Sequence, residues 1–220
     1  MAKVSTGVNS MKILNQISKP SLLFLAVLII TLTGCANTQS SKFYMLESMS
    51  GSMPSGSGAP FDGNVSVGLG PVTIPDYLDR PQIVTRTNQN SILLAEFDRW
   101  AEPLSGTITR TLAENLSFLL HTDNVIPYPW PGSVEVSYQV LVELFRFDGI
   151  LGEKAVLDVQ WSVLGKKGKK VLLLKRSVFV EPTREVSFAA LVSAESRALD
   201  NLSREMVSAI KDLAKDRTLE

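Results

Sequence analysis

The sequence predicts an α+β fold, a two-layer domain in which two main amphipathic helices pack on a largely antiparallel sheet. Three observations carry this expectation. Apolar and polar residues alternate over Val134–Leu144 and again over Ala155–Val163, the period of half-buried strands. Over Leu104–Leu119 and Leu191–Leu213 the apolar residues recur every three or four positions, as on one face of a helix. Helices that follow runs of strands indicate a sheet covered by helices. No internal repeat at solenoid or propeller spacing is visible.

The elements follow in order. Lys42–Glu47 (KFYMLE) reads as a strand with Phe43, Tyr44 and Leu46 apolar. Ser48–Gly63 is rich in Gly, Ser and Pro and reads as a flexible loop. Asn64–Val72 begins the main body as a strand closed by Pro71, and Gln82–Thr87 and Ser91–Phe97 are β-type runs around the turn signal Asn88-Gln89-Asn90. In the first helix Leu104, Ile108, Leu112, Leu116 and Leu119 form the apolar face. Arg110 and Glu114, four apart on the other side, are expected to pair for a few tenths of a kcal/mol. Asp123-Asn124 and the prolines at 127, 129 and 131 end it. A meander follows, with Gly165-Lys166-Lys167-Gly168 as the hairpin turn into Val171–Glu181. Leu191, Ala194, Ala198, Leu202, Met206, Ile210 and Leu213 mark a long final helix with Ser187 as its N-cap.

Composition removes several function classes. Lys+Arg and Asp+Glu are equal at 22 each, so a broad electrostatic footprint for nucleic acid is not expected. One cysteine excludes an intrachain disulfide framework and any multi-thiolate metal site, and one histidine leaves a metal only carboxylates and carbonyls. No GxSxG, HExxH, GxxxxGK[ST], EF-hand or GxGxxG pattern occurs. Gly165–Lys170 (GKKGKK) lacks the length and the hydroxyl residue of a phosphate-binding loop and reads as a solvated hairpin tip. His121 falls at the end of the first helix, where a cation suits the negative dipole end. The carboxylates are scattered, with no pair singled out for acid–base work. No catalytic residue, metal or cofactor is expected, and the chain is not expected to be an enzyme.

The amino terminus carries an address. Residues 1–34 hold Lys3, Lys12 and Lys19 and no acidic residue, and Leu22–Ile30 (LLFLAVLII) is unbroken apolar sequence. As a helix those nine residues reach ~14 Å, too short for a bilayer core of roughly 30 Å. The pattern is that of a secretory signal starting at Met1 or Met11. Leu32-Thr33-Gly34-Cys35 resembles the lipobox of bacterial lipoproteins, with Thr33 where Ala or Ser is usual. The resemblance implies a diacylglyceryl group on the Cys35 thiol, cleavage before Cys35 and acylation of the new amine. Several acyl chains at ~0.8 kcal/mol per buried methylene make a stable anchor. Ala36, rather than the Asp of inner-membrane retention in enteric lipoproteins, implies sorting to the outer membrane, facing the periplasm. The expected organisation is a signal peptide over 1–34, a tether over 35–41 and a single domain over 42–220 containing the 48–63 loop. The tether spans at most ~25 Å, which holds the domain near its membrane.

Residues 68–104 read GLGPVTIPDYLDRPQIVTRTNQNSILLAEFDRWAEPL. Gly70-Pro71-Val72, Ile74-Pro75, Tyr77-Leu78-Asp79-Arg80-Pro81, Ile83-Val84 and Trp100-Ala101-Glu102-Pro103-Leu104 resemble the PqiC-type ABC-transport auxiliary lipoproteins. The Arg110…Leu112…Asn115-Leu116 helix, Pro129-Trp130, Trp161 and the Leu191–Ile210 helix fit the same pattern, which thus covers nearly all of the mature chain. The resemblance implies an outer-membrane lipoprotein that serves a transport system built around a periplasmic MCE-domain protein, with an inner-membrane permease and ATPase behind it. Such a chain would dock that protein at the outer membrane while lipid moves between membranes, with a ring-like homo-oligomer among the partners admitted. Tyr77, Asp79, Arg80 and Trp130 are the candidate docking residues. Arg80 can fork onto a carboxylate (Asp79, Asp98 or Glu102) and hold a rigid corner, or meet a partner or a lipid headgroup. Tyr128 and Trp130, set between prolines, cover the edge of the core or present a sticky rim. The alternative function is a lipid-binding carrier with its own apolar cavity; an envelope hydrolase or a purely structural envelope protein has less behind it.

Overall fold

The computed structural model describes residues 39–52, 65–165 and 168–217. Their elements are β1 (Lys42–Tyr44), α1 (Met49–Ser52), β2 (Val67–Thr73), β3 (Gln82–Arg86), β4 (Ile92–Trp100), α2 (Leu104–Leu120), β5 (Val125–Pro127), β6 (Tyr138–Ile150), β7 (Lys154–Gly165), β8 (Lys170–Pro182) and α3 (Phe188–Arg217). From Ser41 onward they belong to one compact unit.

The longest strands are those whose alternation is cleanest. β6, β7 and β8 form the antiparallel meander, with Val140 opposite Val163, Val142 opposite Trp161 and Leu157 opposite Phe179. Tyr138, Val140, Val142, Leu144, Val159, Trp161 and Val163 are buried on it. β6 begins later than the alternation predicts, because Val134–Ser137 lie outside it, and it runs on to Ile150. The extension is hidden in the sequence by a bulge between Leu144 and Arg146 that breaks the period of two.

The other edge of β6 is shared. β2 pairs in parallel with its first half, Val67 beside Tyr138 and Thr73 beside Glu143, while β3 reaches its far end with Thr85 beside Gly149. β5 extends β2 in parallel, β4 extends β3 antiparallel, and β1 closes that edge parallel to β4, giving eight strands. Most paired residues are antiparallel, as expected, and the parallel pairings are additions that no local pattern specifies. Several boundaries shift. β1 stops at Tyr44 instead of Glu47, β2 passes through Pro71 to Thr73, and β4 runs on to Trp100.

α2 and α3 form the second layer, α2 against β2 and α3 against β7 and β8. In α2, Leu104, Ile108, Leu112 and Leu116 are buried as predicted, while at the last turn Leu120 takes the buried place expected of Leu119, which is only partly buried. The helix ends at Leu120, with His121 left-handed (φ 51°) as the C-cap and its N–H directed to the Phe118 and Ser117 carbonyls. Arg110 does not pair with Glu114. Its Nη1 meets Glu102 Oε2 at 2.6 Å, because helical side chains lean toward the amino end. In α3 the Ser187 hydroxyl accepts the Ala190 N–H at 3.2 Å, so the predicted cap is made. Leu191, Ala194, Ala198, Leu202, Met206 and Ile210 are fully buried.

The two helices are locked by one polar residue. Asn115, wholly buried, donates from Nδ2 to Asp200 Oδ1 (2.9 Å) and Ser203 Oγ (3.2 Å). Its Oδ1 accepts the Met49 N–H at 2.7 Å. The start of the expected flexible loop is therefore held in the turn α1, with Met49 in the core. Its remainder, 53–64, lies outside the described residues, as do 1–38. Among the described residues no helix is long and apolar enough to cross a membrane.

Candidate functional site

The stretch between Pro75 and Pro103 folds into a corner at the carboxyl end of β4. Two prolines restrict the backbone at either end of Asp76–Arg80, and the turn closes on itself: Leu78 N–H donates to the Pro75 carbonyl (2.9 Å), and Arg80 N–H to that of Leu78 (2.8 Å). Leu78 drives its side chain into the core, and the buried Trp100 ties its N–H to the Pro81 carbonyl at 2.7 Å. Asp79 and Pro81 stay exposed beside them.

Arg80 is the unusual member. It lines a surface pocket of about 290 Å³ with Asp79, Pro81, Trp100, Ala101, Glu102 and Pro103. Its Nε is shut from solvent yet meets no hydrogen-bond partner among the described residues. The internal fork onto a carboxylate is not made. Asp98 accepts the Tyr44 hydroxyl at 2.7 Å, and Glu102 is taken by Arg110. Two of the three carboxylates open to Arg80 are thus engaged elsewhere, and its Nε is left without a partner among the described residues.

Tyr77 turns the other way. Its hydroxyl donates to Asp148 Oδ2 at 3.1 Å, and the Arg86 guanidinium lies 5.9 Å from its ring centre. Asp148 is wholly buried and also receives Arg86 Nε (2.8 Å) and Arg146 Nε (2.7 Å). Burial, with the Asp148 charge beside it, raises the Tyr77 phenol above its ordinary range. This cluster staples the Pro75–Pro81 corner to β3 and β6.

A second buried carboxylate belongs to Glu195 of α3, whose two oxygens meet no hydrogen-bond partner among the described residues. Burial first, and the Asp148 charge second, push it well above the usual carboxylate range. The sequence, in which the carboxylates read as scattered, singled out neither Asp148 nor Glu195. The signal was present for one of them, since Glu195 stands four residues after Leu191 and three before Ala198, on the apolar face. Asp148 had none, because the bulge that precedes it hides its place in β6.

Trp130 and Tyr128 divide the two roles open to them. The Trp130 ring lies over Gly68, where an added Cβ would come within 2.6 Å of it, so Trp130 covers β2. Tyr128, edge-on to Trp130 with centroids 5.6 Å apart, is 52% exposed. A groove of about 800 Å³ runs past it along α2, with Arg110, Glu114, His121 and Asp123 on its walls. Among the described residues no three His, Cys, Asp or Glu side chains stand together to hold a metal ion. Cys35, with Leu32, Thr33 and Gly34, lies outside the described residues.

Comparison with known proteins places these features. A family model of the ABC-type transport auxiliary lipoprotein component matches residues 44–207. The intermembrane transport lipoprotein PqiC of Escherichia coli (strain K12) is 31% identical over 154 residues, 68% of this chain and 75% of that one. Two crystal structures share the fold. One is protein XCC0632 from Xanthomonas campestris (TM-score 0.67, 14% identity, 82% of this chain and 100% of that one). The other is an uncharacterized protein (TM-score 0.64, 18% identity, 78% and 99%). At these identities the two structures speak for the fold alone.

Proposed function

This chain belongs to the family of ABC-type transport auxiliary lipoproteins, and from that premise we propose that it docks a periplasmic MCE-domain protein at the outer membrane. It is a lipid-anchored envelope protein and a component of an intermembrane transport system, as its PqiC relative is named. Acyl chains on Cys35 hold it at the outer membrane, facing the periplasm. The permease and ATPase at the inner membrane supply the energy, and lipid is the cargo. The chain carries out no catalysis of its own, and a ring of copies is one form its docking end can take.

The observation that carries docking is Arg80, a cation with a desolvated, unpartnered Nε in a surface pocket of the family-like corner. A guanidinium so placed suits a carboxylate on another chain, which supplies the fork its own carboxylates withhold. The carrier alternative needs open space between sheet and helices. The side chains there, from Leu191 to Ile210 and from Leu104 to Leu120, are packed to near-zero exposure. That packing favours docking.

The test is co-purification from detergent with the MCE-domain protein. Arg80→Ala should weaken recovery by about 2 kcal/mol or more, roughly 30-fold in affinity, with unchanged thermal unfolding. Unchanged recovery, or recovery lost together with the fold, would return Arg80 to a scaffold role.

A further inference from the structure

We propose that the tip of the β3–β4 hairpin, Ile92-Leu93-Leu94, is a membrane-contacting element that dips into the lipid surface holding the chain's own anchor. This rests on lipid anchorage through Cys35 but not on the docking reading.

Three consecutive large apolar residues at the start of β4 are exposed, Ile92 by 40%, Leu93 by 55% and Leu94 by 44%. Successive strand residues point to opposite faces, so the hairpin offers apolar side chains on both. β3 is buried beside them, with Thr85 paired to both Leu93 of β4 and Gly149 of β6, so the hairpin is exposed along the open edge of β4 ahead of β1. Its tip, Thr87-Asn88-Gln89-Asn90-Ser91, is exposed and uncharged, and no acidic residue occurs between Arg86 and Ala95. Arg86, the one charge in that interval, turns back to Asp148 and to the Gln89 carbonyl. Its charge is met by the buried Asp148 carboxylate.

The occupant follows from the direction of β1. β1 lies parallel to β4, with Lys42 beside Asp98 and Tyr44 beside Trp100. The chain therefore enters β1 from the side on which β4 begins, which is the Ile92 end. Ile92 stands six residues before Asp98, ~20 Å along the strand. The seven residues from Cys35 to Ser41 span at most ~25 Å. The reach of the tether matches the distance to the hairpin tip. The Arg80 corner, by contrast, sits at the other end of β4, beside Trp100. Lipid contact at one end of the β3–β4 ribbon leaves the docking corner turned toward the periplasm.

The experiment uses the full acylated chain on phosphatidylethanolamine–phosphatidylglycerol vesicles. Acylation consumes the only native cysteine, so Leu93→Cys, Gln89→Cys and, on β8, Leu174→Cys each accept a single environment-sensitive fluorophore. Labels at 93 and 89 should be quenched by lipid-borne nitroxide several-fold more than the label at 174, and shielded from aqueous iodide, however far the protein is diluted in lipid. Equal iodide access at 93 and 174 on vesicle-bound protein overturns the proposal. So does shielding at 93 that appears only at high protein density, which points to a second copy, or only on addition of a periplasmic partner. A chain that never joins the vesicles removes the anchor itself, and this inference with it.

Discussion

Replacing Asp148 by alanine tests how the Pro75–Pro81 corner is held to the sheet by chemistry rather than by packing. The carboxylate is fully buried and holds Tyr77, Arg86 and Arg146 at 2.7–3.1 Å. Its loss leaves two guanidinium groups without their counter-ion, and removing one partner of a buried ion pair costs about 3–5 kcal/mol. The Arg86 and Arg146 side chains keep 18% and 31% of their surface, so water softens the loss toward the lower figure. Tyr77 loses one acceptor, worth ~1 kcal/mol. The expected total of about 3–4 kcal/mol is a large share of a typical domain's 5–15 kcal/mol. Urea unfolding followed by tryptophan fluorescence measures it. Tyr77→Phe should cost ~1 kcal/mol in the native chain and close to nothing once Asp148→Ala is present. A loss below ~1 kcal/mol for Asp148→Ala, or an equal cost of Tyr77→Phe in both backgrounds, would refute the stapling argument.

Three further outcomes follow from single positions. Glu195 holds its proton in the folded chain at pH values where the unfolded chain has lost it, because burial and Asp148 raise its carboxyl. Its raised folded value makes stability greatest below the unfolded carboxyl's pKa of about 4.3 and lower as pH climbs from there toward the folded value. Glu195→Gln should therefore gain little near acid pH and most in mild base; thermal unfolding across that range decides it, and an unchanged slope would rule the assignment out. Gly149→Ala sets a methyl 2.3 Å from the Lys154 carbonyl and 2.6 Å from a Leu191 methyl, so a loss of about 2–3 kcal/mol is expected in urea. Gly106→Ala, on an exposed turn of α2 with open space around the new methyl, should instead add about 0.5–1 kcal/mol, and a loss there would contradict the packing described.

Much of this architecture was legible before any coordinates. Leu104–Leu120 and Leu191–Ile210 declare their helices because a helix buries one stripe, and burial forces a period on the sequence. The β6–β8 meander declares itself for the same reason at a period of two. The Tyr77–Pro81 and Trp100–Leu104 segments name the family, and Leu32–Cys35 marks the expected anchor. All of these are local, each written within a few residues of chain.

What the tertiary structure decided is the set of choices between partners far apart in sequence. Which half of the one free edge of β6 takes β2 and which takes β3 is not encoded in either strand's alternation, since both read as half-buried runs. Asp148 becomes a buried hub only because Tyr77 and Arg86, more than sixty residues earlier, are folded onto it. Arg80 Nε is left without a partner among the described residues, while Tyr44 reaches Asp98 and Arg110 reaches Glu102. A charge in a sequence announces that it needs a partner, but the partner is chosen by competition in three dimensions. Period and local motifs determined the layers and the family here; the folded geometry alone determined that Arg80 Nε is left without a partner among the described residues.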